Sequence, residues 1–493
     1  MKKILSFGSK QFATGLAPSA HSESSGLFFK ADGVTPIYEP GTDQSVNNGF
    51  LMPGQSGTVV SGTPAGSFLG ATKEYAAASK AYFTTSTGRL FSWTLDNTFS
   101  AALANLRTVT GLTYGLEIFR AAGGAAYLYY WNADQIGRFD LAATYVDNYY
   151  AAAGTVVVSG IQTEYIHATH RYFNKIIWGN GRGKIGTMTD VSGTVTVTSG
   201  ALNIPSDMTC TDISDDGTYV VLAVTNNIGC DTTVLADTRI IFWDSADTLW
   251  TREFQINDPF IYSLEKTPFG LFAFGATGIW QVSFGGIKKV YSRSPGIYST
   301  NAYSQITYGK ACATYFTNAL VWGGASGSNK VIKSFGQLDI ALPAATVYPF
   351  LSTASKNITY VDGQMLKGYV LVGDDTPQLK AYPFSTANIP QTGLLAQTVY
   401  IPLGSKYQIE RIDVIFGEPL VSGDAMSIQL KTDEDTAAST AMVGSFAQDG
   451  AIRRKKMYPD GFVADEQLSI VVNFTTGIPK IKRIDVWGTP MSS

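Results

Sequence analysis

The chain has 493 residues, with 36 Lys+Arg against 39 Asp+Glu and a formal net charge of -3, so it lacks the basic excess of a dedicated nucleic-acid binder. Charged residues make up 15%, below the about 25% of ordinary soluble domains, while 50 glycines and 12% aromatics give a β-rich composition. At 45% hydrophobic the chain can bury a sizeable core, which argues against wholesale disorder, and its length predicts two or three domains.

The opening MKKILSF starts like a secretory signal, with Lys2 and Lys3 ahead of Ile4 and Leu5. Its apolar run stops at Gly8-Ser9-Lys10, short of the about 7 to 15 residues that an h-region needs. No stretch approaches the about 18 apolar residues of a membrane span, so no targeting or anchoring segment is expected. Residues 1–25 are Ser- and Gly-rich and read as an extended arm, able to order against a neighbour.

From residue 26 onward, pairs of short strands recur around polar turns. The copies are GLFFKADGVTPIYEP, AYFTTSTGRLFSWTLD, AAYLYYWNADQIGRFDL, NKIIWGNGRGKIGTMTD, TYVVLAVTNN with TRIIFWDSADT, GLFAFGATGIWQVSFGG, NALVWGGASGSNKVIKSFG and GYVLVGDDTPQLKAYPF. Each has bulky β-formers on either side of a turn rich in Gly, Asn, Asp, Ser or Pro. One apolar marker per copy (Leu27, Tyr82, Tyr127, Ile176, Val220, Phe272, Leu320, Val370) gives intervals of 55, 45, 49, 44, 52, 48 and 50, with a mean of 49. A period of about 40 to 50 residues with only β signals inside it is the spacing of four-stranded propeller blades. Packing blades radially covers their apolar faces and leaves only short edges exposed. Residues 26–390 are therefore expected to form a seven- or eight-bladed β-propeller, since the first copy could complete a blade begun by the last. A large β-sandwich with a fortuitous spacing is the competing reading.

Near residue 390 the pattern changes. The runs TVYIPLG, IERIDVIF, SIQLKT, LSIVVNF and IKRIDVWG alternate apolar and polar residues as half-buried strands do. Residues 391–493 are expected to form a C-terminal β-sandwich, with the segments Arg411 to Val414 and Arg483 to Val486 adjacent in one sheet. The fold class is thus all-β.

Candidate sites are few. His167 and His170, with Glu164, would share a helix face suited to zinc, but their β-branched and aromatic surroundings predict a strand, on which positions 167 and 170 face opposite ways. Gly181, Gly183 and Gly186 match G-x-G-x-x-G after an apolar run, yet the continuation TMTDVSGTVTVTSG is strand and turn, with no helix to receive a pyrophosphate. The segments Ser214-Asp215-Asp216-Gly217-Thr218-Tyr219 and Ser245-Ala246-Asp247-Thr248-Leu249-Trp250 resemble the Asp-box turn of sialidase-type propellers, although the first lacks a spacer before its glycine and the second has no glycine. Cys210, Cys230 and Cys312 read as unpaired core thiols in preference to a single disulfide. The sequons Asn357-Ile358-Thr359 and Asn473-Phe474-Thr475 carry little weight without a signal peptide. No cofactor, metal or catalytic residue is expected. Two opposed charge runs, Asp433-Glu434-Asp435 and Arg453-Arg454-Lys455-Lys456, read either as solvated loops or as a subunit interface in which copies meet acid to base. The basic run could also touch DNA phosphates, but it is too short to make a DNA binder.

A long propeller of low charge with Ser/Thr/Gly-rich hairpins and a terminal sandwich resembles the virion tail proteins of tailed bacteriophages, especially the nozzle-type proteins of short-tailed phages. The resemblance is architectural, covers about residues 20–490, and supplies no residue-level motif. It implies a ring of identical subunits, commonly six, around a channel through which the genome leaves, with other tail proteins as partners and the virion as location. The low charge and 61 aromatic residues (8 Trp, 26 Tyr, 27 Phe) point the same way, because uncharged surface is stabilised by neighbours. The leading expectation is a non-enzymatic structural subunit. The alternatives are a glycan- or receptor-binding propeller, with aromatics such as those of Tyr127-Leu128-Tyr129-Tyr130-Trp131 stacking on sugars, and a propeller glycosidase working through two carboxylates.

Overall fold

A strand that is apolar at consecutive positions must be covered on both faces, and VVLAVT over Val220–Thr225 is buried at all six positions. The computed structural model describes residues 1–8, 28–32, 34–39, 48–53, 58–62, 64, 66, 68–73, 80–96, 98–109, 112–162, 167–227, 234–291, 313–316, 319–326, 329–336, 346–352, 358–374, 378–383, 394–398, 400–420, 423–432, 441–447, 452–477 and 479–491. Among these residues there are only strands, turns and irregular chain, and no helix.

Seven small sheets follow one another along the chain, six of four strands and one of five. Within each, neighbouring strands are antiparallel, apart from the short parallel addition of Val156–Val157 to the second sheet. The first strands of these sheets are Phe68–Lys73, Leu112–Arg120, Thr169–Tyr172, Thr209–Asp215, Ile261–Thr267, Ala313–Phe316 and Ile358–Asp362. Each lies against the first strand of the next sheet, and the seventh returns to the first. One apolar core fills the space between each neighbouring pair of sheets. Strand alternation explains how one strand serves two cores. Val220, Leu222 and Val224 face the third sheet, whereas Val221 and Ala223 face the fifth. Each fully buried Val, Leu or Ile contributes about 1.5–3 kcal/mol, so the cores are the main source of cohesion.

Seven of the eight hairpin copies supply the second and third strands of these sheets, and the markers from Tyr82 to Val370 all fall on second strands. The first copy does not belong to the series. Its strands Phe28–Asp32 and Val34–Glu39 pair instead with Leu394–Thr398 and Asn48–Pro53, outside the small sheets. The seventh sheet is completed by Thr58–Val59, which pairs with Leu379–Pro383. Val60 then donates its N–H to Leu379 O at 2.8 Å and is fully buried between the seventh and first sheets.

Two larger sheets, of seven and six strands, share a single core that includes Ile412, Val414, Ile484 and Val486 from one and Ile428, Leu430, Ile470 and Val472 from the other. Both chain ends build them. Lys2–Gly8, expected as the start of an extended arm, is a strand paired with Ile481–Pro490, and Phe7 is buried in the core at 1% exposure. The reason is its alternation: Phe7 enters the core while Ser6 faces the other way, toward Asp485. The rest of the expected arm, residues 9–25, lies outside the described residues. The strands between residues 28 and 53 likewise belong with the C-terminal sheets rather than with the repeat. The two RIDV segments are neighbours, with Asp413 directly opposite Asp485.

Candidate functional site

Three places combine polar chemistry with defined geometry. The first is a cavity of about 210 Å³ lined by residues of the first strands of several small sheets, where Glu117, Thr169, Glu265, Thr314, Asp362 and Gln364 supply its polar lining. These groups are tied into the framework. Thr169 donates to Glu117 Oε1 at 3.4 Å, Ser263 to Glu265 Oε1 at 3.3 Å, and Asp362 accepts the backbone N–H groups of Gln364 and Met365 at 2.6 and 2.7 Å. Thr169 and Glu117 thus link two neighbouring first strands, while the other bonds are local to their own segments.

The second place is the end of the first strands in the third, fourth and fifth sheets. Asp215 receives His170 Nε2 at 2.8 Å and the Lys266 ammonium, while Tyr172 donates to Thr218 O at 2.6 Å. Burial opposes ionisation of Asp215, but the hydrogen bonds from His170 and Lys266 outweigh it and hold the carboxyl well below the usual range. At this same end Phe173, Leu249 and Phe269 stand in solvent at 72%, 71% and 63% exposure. Phe173 holds a left-handed φ of +50°, a costly conformation for a bulky residue.

The third place is the outer face of the seven-stranded sheet. Like charges directly opposite each other destabilise an antiparallel pair, so Asp413 and Asp485, both buried, require cations. Arg454 Nη2 approaches Asp413 Oδ2 at 2.6 Å and Arg411 Nε lies 3.2 Å from Oδ1. Arg483 Nε is 3.0 Å from Asp485 Oδ2, Lys3 Nζ is 3.8 Å from Oδ1, and the Ser6 hydroxyl donates to Oδ1 at 2.6 Å. Lys456 occupies the position opposite Asp413 on the edge strand Ile452–Met457. Five cations (Lys3, Arg411, Arg454, Lys456, Arg483) thus surround two carboxylates, a surplus of 5 − 2 = 3. The heads of Lys3, Arg454 and Arg483 remain between 43% and 49% exposed, while Arg411 stacks 4.5 Å from the Trp487 ring centroid.

The expected basic run is therefore a strand and not a loop. Arg454 and Lys456 turn to the outer face, and Met457 enters the core. Arg453 is exposed and Lys455 half-buried. The acidic run Asp433-Glu434-Asp435 lies outside the described residues. Sequence reading missed Lys3, Arg411 and Arg483, which no contiguous run marks. The repeated RID triplet was the available signal, since Arg and Asp two apart on a strand share a face.

His167 and His170 do not converge. His167 is buried, with Nδ1 2.8 Å from Gly179 O and Nε2 3.0 Å from Ala133 O, whereas His170 turns to Asp215. Glu164 lies outside the described residues, among which no group of three or more His, Cys, Asp or Glu side chains is placed to hold a metal. Gly181 and Gly183 form a turn at φ +68° and +73°, and Gly186 sits in a strand beneath the Trp178 ring, where a Cβ would come within 2.2 Å. In the first Asp-box-like segment, Asp216 accepts the N–H groups of Thr218 and Tyr219 at 2.8 and 2.7 Å and so builds a turn. In the second, Trp243 Nε1 donates to Asp247 O at 2.7 Å. Tyr129, Tyr130 and Trp131 are core residues at 0–1% exposure and cannot stack on a sugar. Cys210 is a buried thiol that donates to Asp212 O at 3.3 Å, while Cys230, Cys312 and Asn357 lie outside the described residues. Asn473 is half-buried in a strand and donates to Ser427 Oγ at 3.4 Å. Comparison with known proteins finds no matching family model and no similar curated protein.

Proposed function

We propose that the seven small sheets are the blades of a seven-bladed β-propeller, that the two larger sheets form a β-sandwich closed by both chain ends, and that the chain is a non-enzymatic structural subunit of a phage tail. Copies assemble into a ring of the nozzle or tail-tube type, hexameric in the resemblance noted above, which forms part of the genome-ejection channel and touches other tail proteins. The propeller reading is supported by the cyclic succession of first strands and by an apolar core between every neighbouring pair of sheets.

Assembly rests on one observation above all: Phe173, Leu249 and Phe269 stand exposed at a common end of three successive sheets. Such side chains on a body stiffened by so many cores call for cover by a neighbour. Electron microscopy and mass measurement of the purified protein test this reading. Closed rings are expected, and Phe173→Ser with Phe269→Ser should shift the population toward monomer. A strictly monomeric protein at high concentration, with no particle association, overturns it.

A further inference from the structure

We infer that the cationic outer face of the seven-stranded sheet is a docking site for the acidic segment Asp433-Glu434-Asp435 of a second copy, a refinement that rests on the ring reading above. The face is built and not incidental. Two carboxylates with side chains at 0% and 3% exposure fix the positions of Arg411, Arg454, Lys3 and Arg483 across four adjacent strands. Neighbouring strands lie about 4.8 Å apart, so the cation heads form a pre-set array across the sheet. Satisfying Asp413 and Asp485 leaves the surplus of three positive charges worked out above, and the acidic run carries three negative charges.

The segment that would fill the site joins Ala425–Lys431 to Ala441–Ala447, strands of the six-stranded sheet, on the other side of the shared core. One copy therefore offers the acid from one sheet and the cations from the opposite one, a head-to-tail arrangement that closes into rings when the rotation permits. A nucleic acid is the less favoured occupant. The chain as a whole is acidic at -3, and a duplex would need a longer basic track than five side chains on one face.

The test uses the full-length chain and a fluorescent synthetic peptide of residues 430–440, read by anisotropy, with a peptide neutralised by Asp433→Asn, Glu434→Gln and Asp435→Asn as control. Binding is expected for the acidic peptide only, weakening on the order of tenfold between low and high salt and again on the order of tenfold in Lys3→Gln/Lys456→Gln. That pair spares Arg411, Arg454 and Arg483, the closest partners of the buried carboxylates, and a matching thermal melt verifies that the variant is folded. Equal affinity for both peptides overturns the inference, as does binding of a 20-base-pair duplex with none of the acidic peptide. In a second arm, full-length chain with Asp433→Lys, Glu434→Lys and Asp435→Lys should lose rings that the wild type forms. If those rings persist, the ring reading stands and this contact falls. If the wild type forms no rings yet captures the peptide, the contact stands and the ring reading falls.

Discussion

Phe7→Ala separates a strand that belongs to its own chain from an arm that orders only on a neighbour. Phe7 is 1% exposed in the core shared by the two larger sheets, with Ile4 and Leu5 packed beside it. Truncating a buried Phe costs about 3–5 kcal/mol through lost transfer energy and the cavity left behind. The larger sheets and the small sheets have separate cores, so two unfolding transitions are expected. Trp487 is the sole tryptophan between residues 394 and 491, and none occurs between residues 1 and 53, so Trp487 fluorescence marks the transition of the larger sheets. With a slope of about 2 kcal/mol per molar urea, the loss moves that midpoint down by about 2 M and leaves the other in place. Trp487→Phe identifies which fluorescence change belongs to which body. A shift below about 0.3 M would mean that Phe7 is not in this core in solution. A Phe7→Ala shift that disappears when the chain is diluted to monomer would mean that the strand comes from a neighbour, because intramolecular pairing keeps the shift at every concentration.

Three further outcomes follow from single positions. Gly186→Ala places a Cβ within 2.2 Å of the Trp178 indole and should lower stability by about 1–3 kcal/mol, read by circular-dichroism melts, while Gly286→Ala, which meets nothing within 4 Å, should be near neutral. Asp258→Ala strips the acceptor from the N–H groups of Ala276 and Thr277, at 2.7 and 3.0 Å, and should cost about 3 kcal/mol in urea titrations, with Asp258→Asn restoring part of it. Burial pushes the His167 imidazole below its ordinary 6.5, against the pull of the carbonyls around it. The unfolded chain then binds the proton more readily than the folded one. The stabilisation is complete above about pH 6.5 and declines as pH falls below it, by up to about 1.4 kcal/mol per pH unit. Melting temperatures of wild type and His167→Asn between pH 5 and pH 7.5 check this, and equal pH slopes in the two proteins would refute it.

The hairpin period was legible because second and third strands are buried on both faces and so carry dense runs of apolar β-formers, as in KIIWG and RIIFW. First and fourth strands were not. Thr209–Asp215 reads TCTDISD because this first strand satisfies polar groups through its neighbours, Asp212 accepting the Leu264 N–H across to the next sheet at 2.6 Å. Arg252–Ile256 reads REFQI and is exposed or half-exposed at four of its five positions, so tertiary pairing alone makes it a strand. The misassigned first copy has the same local signal as the other hairpins, and only its long-range partners distinguish it. One of them, Leu394–Thr398, lies hundreds of residues away, beyond what periodicity can express. The charge runs show the reverse error: contiguity drew attention to Arg453 through Lys456, while the face that matters spatially is assembled from four strands.

The paired aspartates bear on whether that face has a role of its own. Replacing buried ion pairs by apolar residues of similar volume is often neutral or stabilising, so stability does not by itself account for Asp413 and Asp485. Their presence on adjacent strands, each held by two cations, is understandable if the purpose of the carboxylates is to fix the cations. The inference can be tested by removing both halves together. A chain carrying Asp413→Val, Asp485→Val, Arg411→Met and Arg483→Met keeps the apolar volume of this face, and should melt within a few degrees of wild type. It should also lose the salt-sensitive capture of the acidic peptide, because the remaining Lys3, Arg454 and Lys456 are then unrestrained. Retained capture at wild-type affinity would show that simple positive charge suffices and that the aspartate pair has no positioning role. Failure to fold would show instead that the charges are needed by the sheet itself, and the case for a face shaped by its partner would lose its footing.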